Sequence, residues 1–228
     1  MPSQDELISR KLARIQQVHR MDPRRTALLV IDMQRSFMDP ASSLYVPTAA
    51  DILPPIKGLV ECCRDADIPV IFTEFTSAPE VPNLRKDPFG PEHLAPAPGA
   101  PTGWGMPSGN SMVGAKGPES PDTVAELAPR ADEVVIKAYG LDKFYGTPLD
   151  LVLRSADVRY LVVTGMLSDL CVAATVYAAT TREYRVTVVT DGITTIWPDI
   201  QKAVLDIFGR KLARLMTAQE ARRELSPS

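Results

Sequence analysis

The chain has 228 residues, 45% of them hydrophobic, which suits one well-buried domain rather than two. Lysine and arginine (25) fall short of aspartate and glutamate (28), so the formal net charge is −3 and no clustered basic excess marks a nucleic-acid surface. Three cysteines, two of them adjacent, form no disulfide framework, and no apolar run approaches the ~20 residues that span a bilayer, so a reduced, cytoplasmic protein without membrane or nucleic-acid partners is expected.

Residues 1–22 are charged throughout and lack the apolar core of a signal peptide. Within them, residues 4–20 follow an amphipathic helical pattern and read as an N-terminal arm, with the subunits of a homo-oligomer as its expected packing partners. From residue 23 to 228 a single domain is expected. "TALLVID" (26–32) is a continuous apolar run typical of a strand buried on both faces, with Asp32 at its end. "DILPPIKGLVECCRD" (51–65) reads as a helix started near its two prolines, and "IPVIFTE" (68–74) as the second strand. "EVVIK" (133–137) is the third, ending at Lys137. "TPLDLVLRSA" (147–156) has Thr147 as a cap and Pro148 in the first turn of a helix. "RYLVVTG" (159–165) is a strand, 169–182 a helix, "RVTVVTD" (185–191) a strand, "PDIQKAVLDIFGR" (198–210) a helix, and "KLARLM" a sixth strand at the edge. The alternation predicts an α/β fold of three layers, α/β/α, with a central, mostly parallel sheet of about six strands. One segment breaks the rhythm. Residues 88–118 carry seven prolines and seven glycines in 31 positions, an insertion around Trp104 that reads either as a lid or subunit contact or as a surface excursion.

Open parallel sheets bind ligands beyond the carboxyl ends of their strands. Asp32 and Lys137 fall at such ends, and Cys171 follows one turn past another. Ser168 or Asp169 is the expected cap of the Cys171 helix, whose N-terminus, with a nearby ammonium, favours a thiolate. The two histidines, His19 in the arm and His93 in the insertion, lie away from strand ends, which leaves Asp32 as the base.

These residues carry a resemblance. "LLVIDMQRSF", "VIKAYGLDKFYGTPLDLVLR" and "LVVTGMLSDLCVAATVYAA" resemble, in order, the three motifs of the isochorismatase-like cysteine hydrolases, a superfamily that includes nicotinamidases and small-amide amidohydrolases. The resemblance spans about residues 24–215. It implies an Asp32, Lys137, Cys171 triad, a cis peptide bond between Met166 and Leu167, and an oxyanion hole from the N–H groups of Leu167 and Cys171. Lys137 stands one residue further from Phe144 than in most relatives, so Lys143 is its rival; Lys137 is preferred because it ends a clear strand. Where nicotinamidases place a metal-binding Asp-x-His, this chain has Glu74 and Thr76, so no metal and no cofactor are expected. Gln34, Phe37, Trp104, Tyr139 and Phe144 are the expected substrate contacts, with ordinary packing as the competing reading. The implied activity is hydrolysis of a small amide, ureido or imide-like C–N bond through a thioester on Cys171. The alternatives are an isochorismatase-type vinyl-ether hydrolase without a covalent step, and a non-catalytic binding or assembly member of the fold.

Overall fold

A computed structural model describes residues 2–42, 44–76 and 114–226. Six strands form one sheet: β1 (Thr26–Ile31), β2 (Val70–Phe75), β3 (Val134–Ala138), β4 (Tyr160–Met166), β5 (Arg185–Thr194) and β6 (Arg214–Met216). Their order is β3-β2-β1-β4-β5-β6, and every neighbouring pair is parallel. The chain therefore winds outward from β1 to one edge, returns, and winds outward through β4 to the other. The crevice between β1 and β4 is the switch point where such sheets bind ligands.

Alternate residues of β1 face opposite layers. Leu28 and Val30 join a core with Ile52, Ile56, Leu59, Val60 and Cys63 of helix α3 (Ala49–Asp65) and Ala218, Ala221 and Leu225 of helix α7 (Ala218–Leu225). Ala27, Leu29 and Ile31 join the opposite core, with Leu149 and Leu153 of α4 (Leu149–Ser155) and Val172, Val176 and Ala179 of α5 (Cys171–Thr181). Each fully buried aliphatic side chain here contributes about 1.5–3 kcal/mol relative to exposure. A short helix, α2 (Arg35–Met38), follows β1, and α6 (Pro198–Ile207) runs into a π turn at Phe208–Leu212.

Two differences from the sequence reading have local causes. Helix α3 begins at Ala49, before its prolines, because Ala49 N–H donates to Val46 O in a preceding turn and Pro54 and Pro55 then fall inside the helix. Strand β5 runs on to Thr194 because it shifts register against β4 between Val163 and Gly165 and resumes pairing at Ile193 and Thr194.

Helix α1 (Gln4–Val18) has no buried residue, leaves Leu7 and Leu12 exposed, and lies against the π turn and β6. Its anchor is His19, whose Nδ1 lies 2.9 Å from Val186 O. Trp104, His93 and most of the Pro/Gly-rich segment lie outside the described residues. Among the described residues, no helix is long and apolar enough to cross a membrane.

Candidate active site

Asp32 leaves β1 in the left-handed region, φ 52, a conformation aspartate tolerates better than most side chains. Its N–H is shared between Thr73 O at 3.1 Å and Thr73 Oγ1 at 3.2 Å on the neighbouring strand. Gly165 on β4 completes the close approach: at φ +112, a Cβ there would lie 2.0 Å from Ile31 O. The last residues of β1 and β4 are thus held closer than any side chain permits.

The Asp32 carboxylate is fully buried and its two oxygens are not equivalent. Oδ1 accepts from Thr73 Oγ1 at 2.7 Å. Oδ2 meets the Lys143 ammonium at 2.7 Å as an ion pair. Lys143 is fully buried as well, so both charges lose their hydration and need internal partners. Its Nζ also donates to Gly140 O at 3.1 Å and stands 5.3 Å from the centre of the Phe75 ring. Burial alone pushes the Lys143 ammonium down. Asp32, and then Cys171, more than offset this, and the net shift is upward, so the side chain is held as an ammonium.

Of the two rival lysines, the structure brings Lys143 and not Lys137 to Asp32. Lys137 is exposed on β3, an edge strand, opposite Glu74 in register. Lys143 comes from the loop after β3, which turns back over the sheet. The loop is keyed to the Cys171 helix: Lys143 N–H donates to Thr175 Oγ1 at 3.2 Å, one turn beyond Cys171, and Thr147 Oγ1 holds Lys143 O at 2.6 Å. A strand-end charge on an edge has solvent to point to; a loop residue locked to the Cys171 helix does not.

Cys171 is 3% exposed and opens α5, in side-chain reach of both Asp32 and Lys143. Burial pushes its thiol well above the ordinary range; Lys143 pulls it down and the Asp32 carboxylate pushes it up again. Burial thus works against the thiolate that the helix terminus and the Lys143 ammonium favour. The helix also lacks the expected cap. Its N-cap is Leu170, with no side-chain bond, while Ser168 Oγ donates to Gln201 Oε1 at 2.6 Å and Asp169 Oδ1 has no hydrogen-bond partner among the described residues. The peptide bond between Met166 and Leu167 is cis. Leu167 O accepts from Val172 N–H at 3.1 Å; among the described residues no backbone carbonyl takes the N–H of Leu167 or of Cys171.

The expected substrate contacts divide. Gln34 is a staple: Phe75 N–H donates to its Oε1 at 2.7 Å, and its Nε2 donates to the carbonyls of Phe75 and Pro121, both at 2.8 Å. Both amide protons and one lone pair of its oxygen are thereby engaged by backbone. Phe144 is buried in the α4/α5 core, stacked on Tyr184 at 5.9 Å with the Arg182 guanidinium 4.7 Å from its ring centre, because the residue after Lys143 points the opposite way. Phe37 is buried with its ring 6.5 Å from that of Phe75, and so backs the ring beside the lysine. Tyr139 is exposed at the exit of β3. Glu74 Oε1 accepts from both N–H and Oγ1 of Thr123, at 2.9 and 3.0 Å.

Thr73, Phe75 and Thr175 went unnoticed in the sequence. Thr73 carried a signal: a hydroxyl inside the buried run "VIFTEF" must find an internal partner. Thr175 carried a weaker one, as a polar residue one helical turn from Cys171 in the apolar first half of the helix.

Among known proteins, the family described as the Isochorismatase domain matches residues 26–220. The ureidoacrylate amidohydrolase RutB of Caulobacter vibrioides is 30% identical over 200 residues, which are 81% of this chain and 84% of that protein. A cysteine hydrolase from Pseudomonas syringae pv. phaseolicola superposes with a TM-score of 0.72 at 25% identity, covering 90% of this chain and 94% of the other. The N-carbamoylsarcosine amidase of Thermoplasma acidophilum superposes with a TM-score of 0.67 at 28% identity, covering 85% and 96% respectively.

Proposed function

The chain belongs to the isochorismatase family, and from that premise we propose that it hydrolyses a small amide or ureido C–N bond through covalent catalysis by Cys171, with Asp32 and Lys143 completing the triad. One observation carries the reading: a buried Asp32–Lys143 pair at 2.7 Å set beside a buried thiol at the switch point of the sheet. The amidohydrolase and amidase names of the relatives support the C–N bond as the target.

The first event is transfer of the Cys171 thiol proton to Asp32, guided by the Lys143 ammonium, which stabilises the thiolate against the burial that disfavours it. The sulfur attacks the substrate carbonyl; a C–S bond forms and the carbonyl π pair moves to oxygen. The N–H groups of Leu167 and Cys171 are the donors for that oxyanion, and the uncapped start of α5 leaves its amide free to serve. Collapse breaks the C–N bond, and Asp32 returns the proton to the departing nitrogen. Water then attacks the thioester and gives a proton to Asp32. The C–S bond breaks, the acid product leaves, and the sulfur regains its proton. The wall beside the lysine is Phe75, backed by Phe37. The same reading places the enzyme in a reducing, cytoplasmic setting where the thiol survives, as a homo-oligomer in which the exposed apolar residues of α1 find cover.

The test is ammonia or amine release from a panel of small amides and ureido compounds, with intact mass after rapid quench. An acyl adduct on Cys171, and a loss of at least about 10³-fold in Cys171→Ser, are expected. Turnover of a vinyl ether by Cys171→Ser at the wild-type rate would overturn the covalent reading.

A further inference from the structure

The two oxygens of Asp32 differ in what they are able to do, and the difference comes from β2. Thr73 Oγ1 has one proton to give. Its lone-pair side faces the Asp32 N–H, 3.2 Å away, and its proton goes to Oδ1 at 2.7 Å. That hydrogen bond leaves the carboxylate no freedom to rotate, because Asp32 N–H is also tied to Thr73 O at 3.1 Å. Carboxylate and hydroxyl are both fully buried, so neither has water as a substitute partner. Oδ2 is left to face the Lys143 ammonium at 2.7 Å and the Cys171 thiol, which lies within side-chain hydrogen-bonding reach of the carboxylate.

We infer that Thr73 is a positioning residue for the reaction: its hydroxyl saturates Oδ1, so that Oδ2 alone takes the thiol proton and later returns it. This rests on Asp32 being the base of the proposed hydrolysis. With Oδ1 occupied, the carboxylate presents one oxygen at one angle to the sulfur. Without Thr73, the carboxylate turns, Oδ2 swings toward a two-point contact with the Lys143 ammonium, and the thiol proton loses its acceptor. Lys143 alone does not prevent this, since a compact ammonium attracts the carboxylate as a point charge and does not fix which oxygen, or both, it meets. Threonine suits the place for a second reason. Its methyl group fills the β2 interior and limits χ1, which holds the hydroxyl on the Asp32 side.

The experiment compares Thr73→Val, which keeps shape and removes the hydroxyl, with Thr73→Ser, which keeps the hydroxyl and removes the methyl. Two readouts are used: steady-state kinetics on an amide turned over by the wild type, and the rate at which iodoacetamide alkylates Cys171, resolved by peptide mass. Expected for Thr73→Val is a fall in kcat of about 10- to 100-fold with KM within about threefold, and a matching fall in Cys171 alkylation. Thr73→Ser is expected to stay within about threefold of wild type in both. The alkylation arm needs no amide substrate, so it reads the Asp32–Cys171 proton transfer even if the substrate class is misassigned. Should Thr73→Val fail to fold, Thr73→Ala takes its place with the same expected losses. Wild-type kcat and alkylation in the hydroxyl-free variant would overturn the inference. So would a Thr73→Ser variant as impaired as Thr73→Val, since that pattern belongs to lost packing.

Discussion

Lys143 and Lys137 lie six residues apart on the chain and have opposite fates. Lys143 is enclosed with Asp32, and removing its charge strands a buried carboxylate, a defect worth about 3–5 kcal/mol of stability. Lys143→Met is therefore expected to lower both the urea midpoint and kcat, the latter by at least about 100-fold, if the protein accumulates at all. Lys137→Ala, on an exposed edge position, is expected to stay within twofold of wild type in kcat and within about 0.5 kcal/mol in stability. Parallel kinetics and denaturation of the two variants check this, and the reverse ranking would return the triad to Lys137. The physical lesson is about strand ends. A charge at the end of a central strand is trapped at the switch point, as Asp32 is, whereas a charge at the end of an edge strand has solvent beside it.

At the level of elements, the site depends on two contacts between neighbours. Gly165 lets β4 press against the end of β1. Gly165→Ala combines an unfavourable φ of +112 with a Cβ only 2.0 Å from Ile31 O, and is expected to cost about 3 kcal/mol or more, read as a drop in denaturation midpoint. Thr175 ties α5 to the lysine loop. Thr175→Val is expected to cost about 1–3 kcal/mol by orphaning the Lys143 N–H, and to reduce kcat more than it raises KM. A variant with wild-type kcat would show that the loop holds its place without the helix. The six strands and their order of appearance were legible because each is a short apolar run bounded by breakers, with a helical pattern between most of them. Asp32 and Cys171 were legible for the same reason, since they sit at or just beyond strand ends that the apolar runs mark. Lys143 was not, because a loop's path is fixed by hydrogen bonds such as Lys143–Thr175 that join residues far apart in sequence and leave no periodic trace. The orientations of Gln34 and Phe144 were not legible for a related reason: a motif position or an aromatic ring near the site says nothing about which way the side chain faces.

The whole molecule carries titratable groups that bound its pH range. Burial holds the His19 imidazole below its ordinary value of 6.5, with Arg185 and Arg214 adding to the effect and the bond to Val186 O opposing it. As pH falls past 6.5, the unfolded or undocked arm binds a proton that the docked arm resists, so docking of α1 weakens toward acid. Proteolysis or hydrogen exchange confined to residues 4–19 is expected to rise between pH 7.5 and 5.5, and His19→Gln is expected to remove most of that dependence. On the alkaline side, burial pushes the Cys63 thiol up to about 12 and the Cys171 thiol further still, so above about pH 9 the unfolded chain loses protons that the folded chain retains. Stability is expected to decline from there, and denaturation midpoints between pH 8 and 10.5 measure the slope. The strand order has a further consequence, for the chain as it is made. β1 and β2 are neighbours in both sequence and sheet, but the other side of β1 pairs with β4, which begins only at Tyr160. A nascent chain emerging from the ribosome therefore carries Asp32 long before Lys143 or Cys171 exists beside it, and one edge of its central strand stays open until most of the protein has been translated. The hydrolase is born without its chemistry. For most of its synthesis it needs protection along an unpaired strand edge more than it needs a substrate.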